Sequence, residues 1–320
     1  MNLNKNQHTN RDRRSREETG EVASFPIALE VILLILKIFI TVCESIFRTI
    51  VPVPKKSVQG EIVLITGAGH GIGRELALQY ADLDAIVVCW DIHEQANKNV
   101  VSHITKKGKT AYGYICDVTN REEVIKTVQT VEREVGKITV LINNAGILEV
   151  RSLLEHDEED IRRTIEINTV SHFWTLQAVL PNMIKNNHGH VVALSSHVGL
   201  GGFRNMVPYC ASKYAVRGMM SALNEELRYN PQNQIKLTTI FPYIVSTGLC
   251  TNYKIRFPQL FKEVTPKVAA ECIISAQRRN IVEETIPEFS LTVHNILQTF
   301  PKKAVYLIRD FINIRFESNK

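Results

Sequence analysis

Short apolar runs separated by amphipathic stretches dominate the chain from residue 60 onward. The runs at 61–66, 85–91, 110–116, 138–143, 190–195, 235–241 and 281–286 read as strands buried on both faces. Between them, 71–82, 94–107, 120–135, 157–186, 207–229 and 266–279 place apolar residues at helical spacing. Such alternation predicts an α/β domain, a parallel sheet covered by helices on both faces. The tail over 288–316 is amphipathic as well, with Leu291, Ile296, Leu297, Val305, Leu307, Ile308, Phe311 and Ile312 among lysines and arginines. A packed terminal helix, a substrate lid and a second membrane contact all suit that pattern. No repeat at solenoid periods interrupts it.

Ahead of the alternating region the pattern differs. Residues 1–24 are polar and charge-rich, with Arg11, Arg13, Arg14 and Arg16 interleaved with acids, and are expected to be a disordered tail. Phe25 to Val51 is strongly apolar and breaks at Pro52 and Pro54. As a helix it would be about 40 Å long, beyond the roughly 30 Å of bilayer hydrocarbon. Glu30, Lys37 and Glu44 recur every seven residues and so share one narrow stripe. Each would cost about 2.5–3.5 kcal/mol at the bilayer centre. A helix lying partly in the interface, or a monotopic anchor, avoids that cost. A core helix and a cleaved signal peptide are the competing readings; the segment starts late and is too long for the second.

Composition narrows the field. Hydrophobic residues at 44% and charged residues at 22% suit a globular core and exclude general disorder. A net charge of +5, with 38 basic and 33 acidic residues spread along the chain, speaks against nucleic-acid binding. The six cysteines form no C-x-x-C pair and no zinc spacing, so no metal site is expected. With no N-x-[ST] acceptor present, a reducing, cytosol-facing compartment is favoured.

Candidate chemistry begins at Ile62-Val63-Leu64-Ile65-Thr66-Gly67-Ala68-Gly69-His70-Gly71-Ile72-Gly73, a strand entering a glycine-rich turn and then a helix. Glycine permits the tight turn and close backbone approach that a pyrophosphate requires, and the helix start offers it unpaired N–H groups. Gly67, Gly71, Ile72 and Gly73 are therefore cofactor candidates. Asp91 closes the second strand, 20 residues past Gly71. It can accept the ribose hydroxyls of NAD and repel the extra phosphate of NADP, or simply cap the next helix. His70 is a nearby basic group that softens the discrimination. Asp117 and Val118 end the third strand, and Asn144, Ala145 and Gly146 follow the fourth, at ends that line a ligand crevice; a plain turn explains Asn-Ala-Gly equally well.

Tyr209 and Lys213 lie four residues apart on one helix face, and Ser196 precedes Tyr209 by 13 residues. A phenol with a pKa near 10 is a poor base at neutral pH. An ammonium about 5 Å away would favour tyrosinate by roughly two pKa units at an effective dielectric near 20. Such a pair could take a proton from an alcohol while Ser196 holds the substrate oxygen. Alone, Y-x-x-x-K is as readily a surface pair.

T-G-x-x-x-G-x-G, N-N-A-G and S-x12-Y-x3-K in this order resemble the short-chain dehydrogenase/reductase family over about residues 58–287. The resemblance implies one doubly wound Rossmann-type domain with a seven-stranded parallel sheet. It implies that Tyr209 is the acid/base and that Lys213 tunes it and binds the nicotinamide ribose. Ser196 would orient the substrate, and Asn168 would hold a water in the proton relay. The family's P-G-x-x-x-T stretch reads Pro242-Tyr243-Ile244-Val245-Ser246-Thr247, tyrosine replacing glycine, with Pro242, Val245 and Thr247 retained as cofactor contacts. Further segments, Trp90-Asp91-Ile92, His172-Phe173-Trp174 and Asn187-His188-Gly189-His190, resemble the branch of 17-beta-hydroxysteroid dehydrogenases types 11 and 13 and epidermal retinol dehydrogenase 2.

That branch implies NAD as cofactor, NADP being less suited to Asp91, and a lipophilic substrate such as retinol, a hydroxysteroid or a related lipid. It also implies attachment to the endoplasmic reticulum membrane or a lipid droplet, the catalytic domain facing the cytosol. A homodimer is possible. The expected division is a tail over 1–24, an anchor and linker over 25–57, the NAD-binding catalytic domain over 58–287 and an amphipathic segment over 288–320. The competing functions are a non-catalytic lipid-droplet surface protein using the fold as a binding platform, and an NADPH-dependent carbonyl reductase.

Overall fold

The computed structural model describes residues 8–250, 252–259 and 262–318. The chain divides into two compact units, Met1–Pro54 and Lys55–Lys320.

The first unit is one helix, α1 (His8–Ile50). It starts well before the apolar segment, so residues 8–24, expected as disordered tail, continue the same ladder; residues 1–7 lie outside the described residues. Arginine and glutamate are good helix formers, so a charge-rich sequence offers no propensity barrier to extending the helix. Large apolar side chains from Ile27 to Phe47 are exposed. Every 18-residue window within 27–48 holds three charges, and no helix among the described residues is long and apolar enough to cross a membrane.

The second unit alternates strands and helices: β1 (Ile62–Thr66), α2 (Gly71–Asp82), β2 (Ile86–Asp91), α3 (Glu94–Lys106), β3 (Ala111–Ile115), α4 (Arg121–Glu134) and β4 (Val140–Asn143). There follow α5 (Glu158–Ile165), α6 (Ser171–Lys185), β5 (His190–Leu194), α7 (Val207–Arg228), β6 (Lys236–Pro242), β7 (Tyr253–Ile255), α8 (Pro266–Arg278) and β8 (Glu283–Ile286). Then come α9 (Ser290–Gln298), α10 (Lys302–Ile312) and β9 (Ile314–Phe316). The seven-stranded sheet has the order β3-β2-β1-β4-β5-β6-β8, with every pairing parallel. All seven expected strands are present within two residues of their expected limits.

Alternation along each strand divides the core. Val63 and Ile65 of β1 pack with Val87 and Cys89 against Leu76 and Tyr80 of α2, Ile104 of α3 and Ile273 of α8. Leu64, Val88 and Trp90 turn the other way, onto Val124 and Val128 of α4, Met183 of α6 and Val216 of α7. Each fully buried aliphatic side chain contributes about 1.5–3 kcal/mol, which holds the carboxyl ends of β1, β4 and β5 in fixed register.

The amphipathic tail is not one terminal helix. Asn313, at φ 49°, ends α10 in the left-handed conformation that asparagine tolerates and turns the chain into β9, which pairs antiparallel with β7. Both strands have three residues, too few for a period-two signal.

Candidate active site

The glycine-rich turn leads from β1 into α2. Gly67 and Gly71 adopt φ of +65° and +55°, open to glycine at little cost. Gly73 is needed for a different reason: a Cβ there would lie 2.1 Å from the Gly67 carbonyl oxygen. His70 gives α2 no side-chain cap, which leaves the helix start to a ligand. Asp91 braces the turn by accepting from the Gly69 and His93 amides at 2.8 and 2.9 Å. The two roles anticipated for it are compatible, since each oxygen keeps a further lone pair toward the cavity it lines. Asn144 also braces the turn. Its Nδ2 donates to the Thr66 and Gly67 carbonyls at 2.8 and 3.2 Å, which ties β4 to the glycine segment.

On the opposite wall the helical path from α5 to α6 passes through a π-turn, Glu166–Val170, which places Asn168 inward and fully buried. The Asn168 amide donates to the Ile147 carbonyl and Ser212 Oγ at 2.9 and 3.1 Å, and its Oδ1 accepts from the Ile147 amide at 2.8 Å. Both donors are used; one lone pair remains for a water. A Cβ on Gly146 would stand 3.1 Å from Asn168 Oδ1 and 3.5 Å from Lys213 Nζ, so this glycine keeps the space between them open.

Tyr209 and Lys213 face inward from α7, both buried. Lys213 Nζ donates to the Leu194 carbonyl at 2.9 Å and stands 5.8 Å from the Tyr209 ring centre. The Tyr209 hydroxyl is hydrogen-bonded to Ser196. Burial pushes the phenol up to about 12, outweighing the Ser196 hydrogen bond, with Cys250 and Cys210 adding to the rise. Burial pushes Lys213 down to about 8. The two-unit depression anticipated for Tyr209 is therefore absent from the protein alone. Removing water from the phenolate costs more than the ammonium returns, and the resting group is a neutral phenol.

These groups meet in one cavity of about 710 Å3 at the carboxyl ends of the strands. Gly67, Gly71, Ile72, Asp91, Asp117, Val118, Asn144, Ala145, Gly146, Ser196, Tyr209, Lys213, Pro242, Val245 and Thr247 all line it. Gly73 and Asn168 sit just behind this lining. Tyr243, where the family pattern has glycine, lies outside the left-handed region; its ring packs 5.4 Å from that of His197. Sequence reasoning missed His197, Phe203, Met206 and Phe316, which also line the cavity. Phe316 reaches it from β9, more than a hundred residues beyond Tyr209, and no local pattern signals that.

A protein-family model described as short chain dehydrogenase matches residues 61–255. The chain is 36% identical to 17-beta-hydroxysteroid dehydrogenase 13 of Homo sapiens, over 91% of this chain and 96% of that protein. It is also 36% identical to epidermal retinol dehydrogenase 2 of Homo sapiens, over 87% and 90% of the two chains. Among solved structures, a short chain dehydrogenase/reductase from Burkholderia phymatum in complex with NAD superposes with a TM-score of 0.69 at 23% identity. That match covers 76% of this chain and 94% of the other, a likeness of fold.

Proposed function

Because the chain belongs to the short-chain dehydrogenase family, we propose that it transfers a hydride between NAD(H) and a lipophilic alcohol, ketone or aldehyde at a membrane or lipid-droplet surface. One observation carries this reading: a buried phenol, hydrogen-bonded to Ser196 and backed by Lys213, shares a single cavity with a glycine turn and the Asp91 carboxylate. The residues fit a dinucleotide along the whole cavity. Gly67, Gly71 and the start of α2 would take the pyrophosphate, Asp91 the adenosine ribose, and Val118 and Ala145 the apolar surfaces. Lys213 Nζ, with one proton on Leu194, has two left for the nicotinamide ribose. Bound there, the nicotinamide supplies the hydride acceptor or donor.

The chain's own residues move the proton. Tyr209 Oη gives its proton to a carbonyl oxygen during reduction and takes one from the alcohol during oxidation. Ser196 Oγ, beside the Tyr209 hydroxyl, makes two long bonds of 3.4 Å, to the Pro242 carbonyl and from the Val198 amide, which let it turn toward the substrate oxygen. Asn168 acts as a positioning residue, fixing the 145–147 backbone to α7 and leaving Oδ1 for the water that refills the phenol's proton. The exposed apolar face of α1, broken by charges, suits a helix lying in the bilayer interface. The names of the relatives, hydroxysteroid and retinol dehydrogenases, support a lipophilic substrate. We place the protein on the endoplasmic reticulum membrane or a lipid droplet, its catalytic domain facing the cytosol, as part of the same proposal.

Cofactor choice provides a test. NADH is expected to bind at least about tenfold more tightly than NADPH, because the extra phosphate meets a carboxylate. Asp91→Ser should bring the ratio of dissociation constants close to one. Since Asp91 also braces the turn, the ratio is the readout rather than either constant alone. Tighter binding of NADPH by the wild type would refute the assignment.

A further inference from the structure

The catalytic cavity of about 710 Å3 must seat a dinucleotide and the reacting end of a substrate together. A dinucleotide exceeds the drug-sized ligands that pockets of roughly 300–1,000 Å3 hold, so little width is left around the reacting carbon. A bulky side chain on that part of the wall decides what fits.

Tyr243 is such a side chain. It stands where the family pattern has glycine, and it lines the cavity. Two contacts place it beside the catalytic serine rather than at the glycine turn. It directly follows Pro242, whose carbonyl accepts from Ser196 Oγ at 3.4 Å. Its ring packs 5.4 Å from that of His197, the residue after Ser196. It also packs against the apolar cluster that contains Tyr209, Met206, Ile244 and Phe316.

The backbone that carries the ring is pinned on both sides. The Tyr243 amide donates to the Ile286 carbonyl of β8 at 2.8 Å, and the Ile244 carbonyl accepts from the Val264 amide at 3.0 Å. A substrate carbon pressed against this wall must displace close-packed neighbours, which costs free energy. The chain path itself does not demand glycine, since Tyr243 lies outside the left-handed region. What distinguishes this chain from the family pattern here is ring volume.

We propose that Tyr243 is a specificity-determining residue. Its ring walls the cavity beside Ser196, admitting a reacting carbon with one carbon substituent and hindering one with two. The favoured class is primary alcohols and their aldehydes. Secondary alcohols whose reacting carbon lies within a ring are the disfavoured class. The inference rests on the dehydrogenase reading and sharpens its substrate class.

The test gives the full chain, with saturating NAD, two alcohols of equal carbon count in detergent micelles. Dodecanol is straight-chained and primary; cyclododecanol is cyclic and secondary. The wild-type kcat/KM is expected to favour dodecanol by at least about tenfold, the lower end of what one carbon too many costs in a fitted pocket. In Tyr243→Gly the ratio should fall to about one through a gain on cyclododecanol, with the NADH dissociation constant unchanged. Tyr243→Phe, which keeps the ring, should retain the wild-type ratio. Should the glycine variant not fold, Tyr243→Leu serves the same comparison and should lower the ratio. A wild-type ratio at or below one, or a ratio that loss of the ring leaves unchanged, would overturn the role of Tyr243. Turnover of both alcohols without preference defeats only that role, whereas no turnover of any alcohol despite intact NAD binding defeats the dehydrogenase reading as well.

Discussion

Replacing Tyr209 with phenylalanine is expected to lower kcat for alcohol oxidation and carbonyl reduction by about a hundred- to ten-thousandfold, the range that a positioned acid or base supplies. The dissociation constant for NADH should change little, because the ring and its packing against Val198, Met206 and Ile244 remain. The pH dependence carries a second signature. Burial holds the phenol up near 12 in the protein alone, so Tyr209 keeps its proton throughout the neutral range. Carbonyl reduction, which uses the protonated form, should therefore hold steady across neutral pH and decline only toward the phenol's ionisation. Alcohol oxidation, which uses the phenolate, should rise with pH over the same range. The rise of oxidation with pH should vanish in Tyr209→Phe, measured as kcat against pH in each direction. A variant that binds NADH normally and keeps the wild-type rate would remove Tyr209 from the chemistry.

The second large effect is expected at Gly73. A methyl group there would lie 2.1 Å from the Gly67 oxygen, 2.7 Å from Asn144 Nδ2 and 2.8 Å from the Gly67 carbonyl carbon. Two of these atoms belong to backbone and cannot swing away, so Gly73→Ala must open the turn and loosen the Asn144 bonds to Thr66 and Gly67. The NADH dissociation constant should rise at least about tenfold, roughly 1.4 kcal/mol, with a fall in Tm from the misfit packing. Gly218→Ala is the matched control. Its Cβ would meet nothing within 4 Å on α7, and alanine in a helix interior is worth about 0.5–1 kcal/mol over glycine. That variant should be slightly stabilised and bind NADH as before; unchanged NADH binding in Gly73→Ala would show that the turn does not cradle the pyrophosphate.

The sheet was legible because its strands are buried on both faces and stand out as unbroken apolar runs such as Ile62–Thr66 and Ile86–Asp91. The catalytic residues were legible because their spacing survives the fold: Tyr209 and Lys213 are one helical turn apart, and a single loop separates Ser196 from them. The energetics of the pair were not. Spacing gives the Coulomb attraction between ammonium and phenolate, while the larger burial penalty depends on the apolar cluster that Tyr209 joins, whose members Val150, Ile244 and Phe316 come from distant segments. The π-turn at Asn168 escaped for a related reason, since one extra residue per turn leaves no mark on apolar periodicity. The place of Phe316 in the cavity lining depends on β7 pairing with β9, a contact between strands of three residues.

The most direct measurement is NADH formation by the full chain bound to phospholipid vesicles that carry in turn a hydroxysteroid, retinol and a long-chain fatty alcohol, with NAD supplied in solution. The protein is expected to float with the vesicles and to form NADH from at least one of these lipids, at a rate that Tyr209→Phe abolishes. Measurable NAD binding without turnover of any of them would contradict a membrane-surface dehydrogenase.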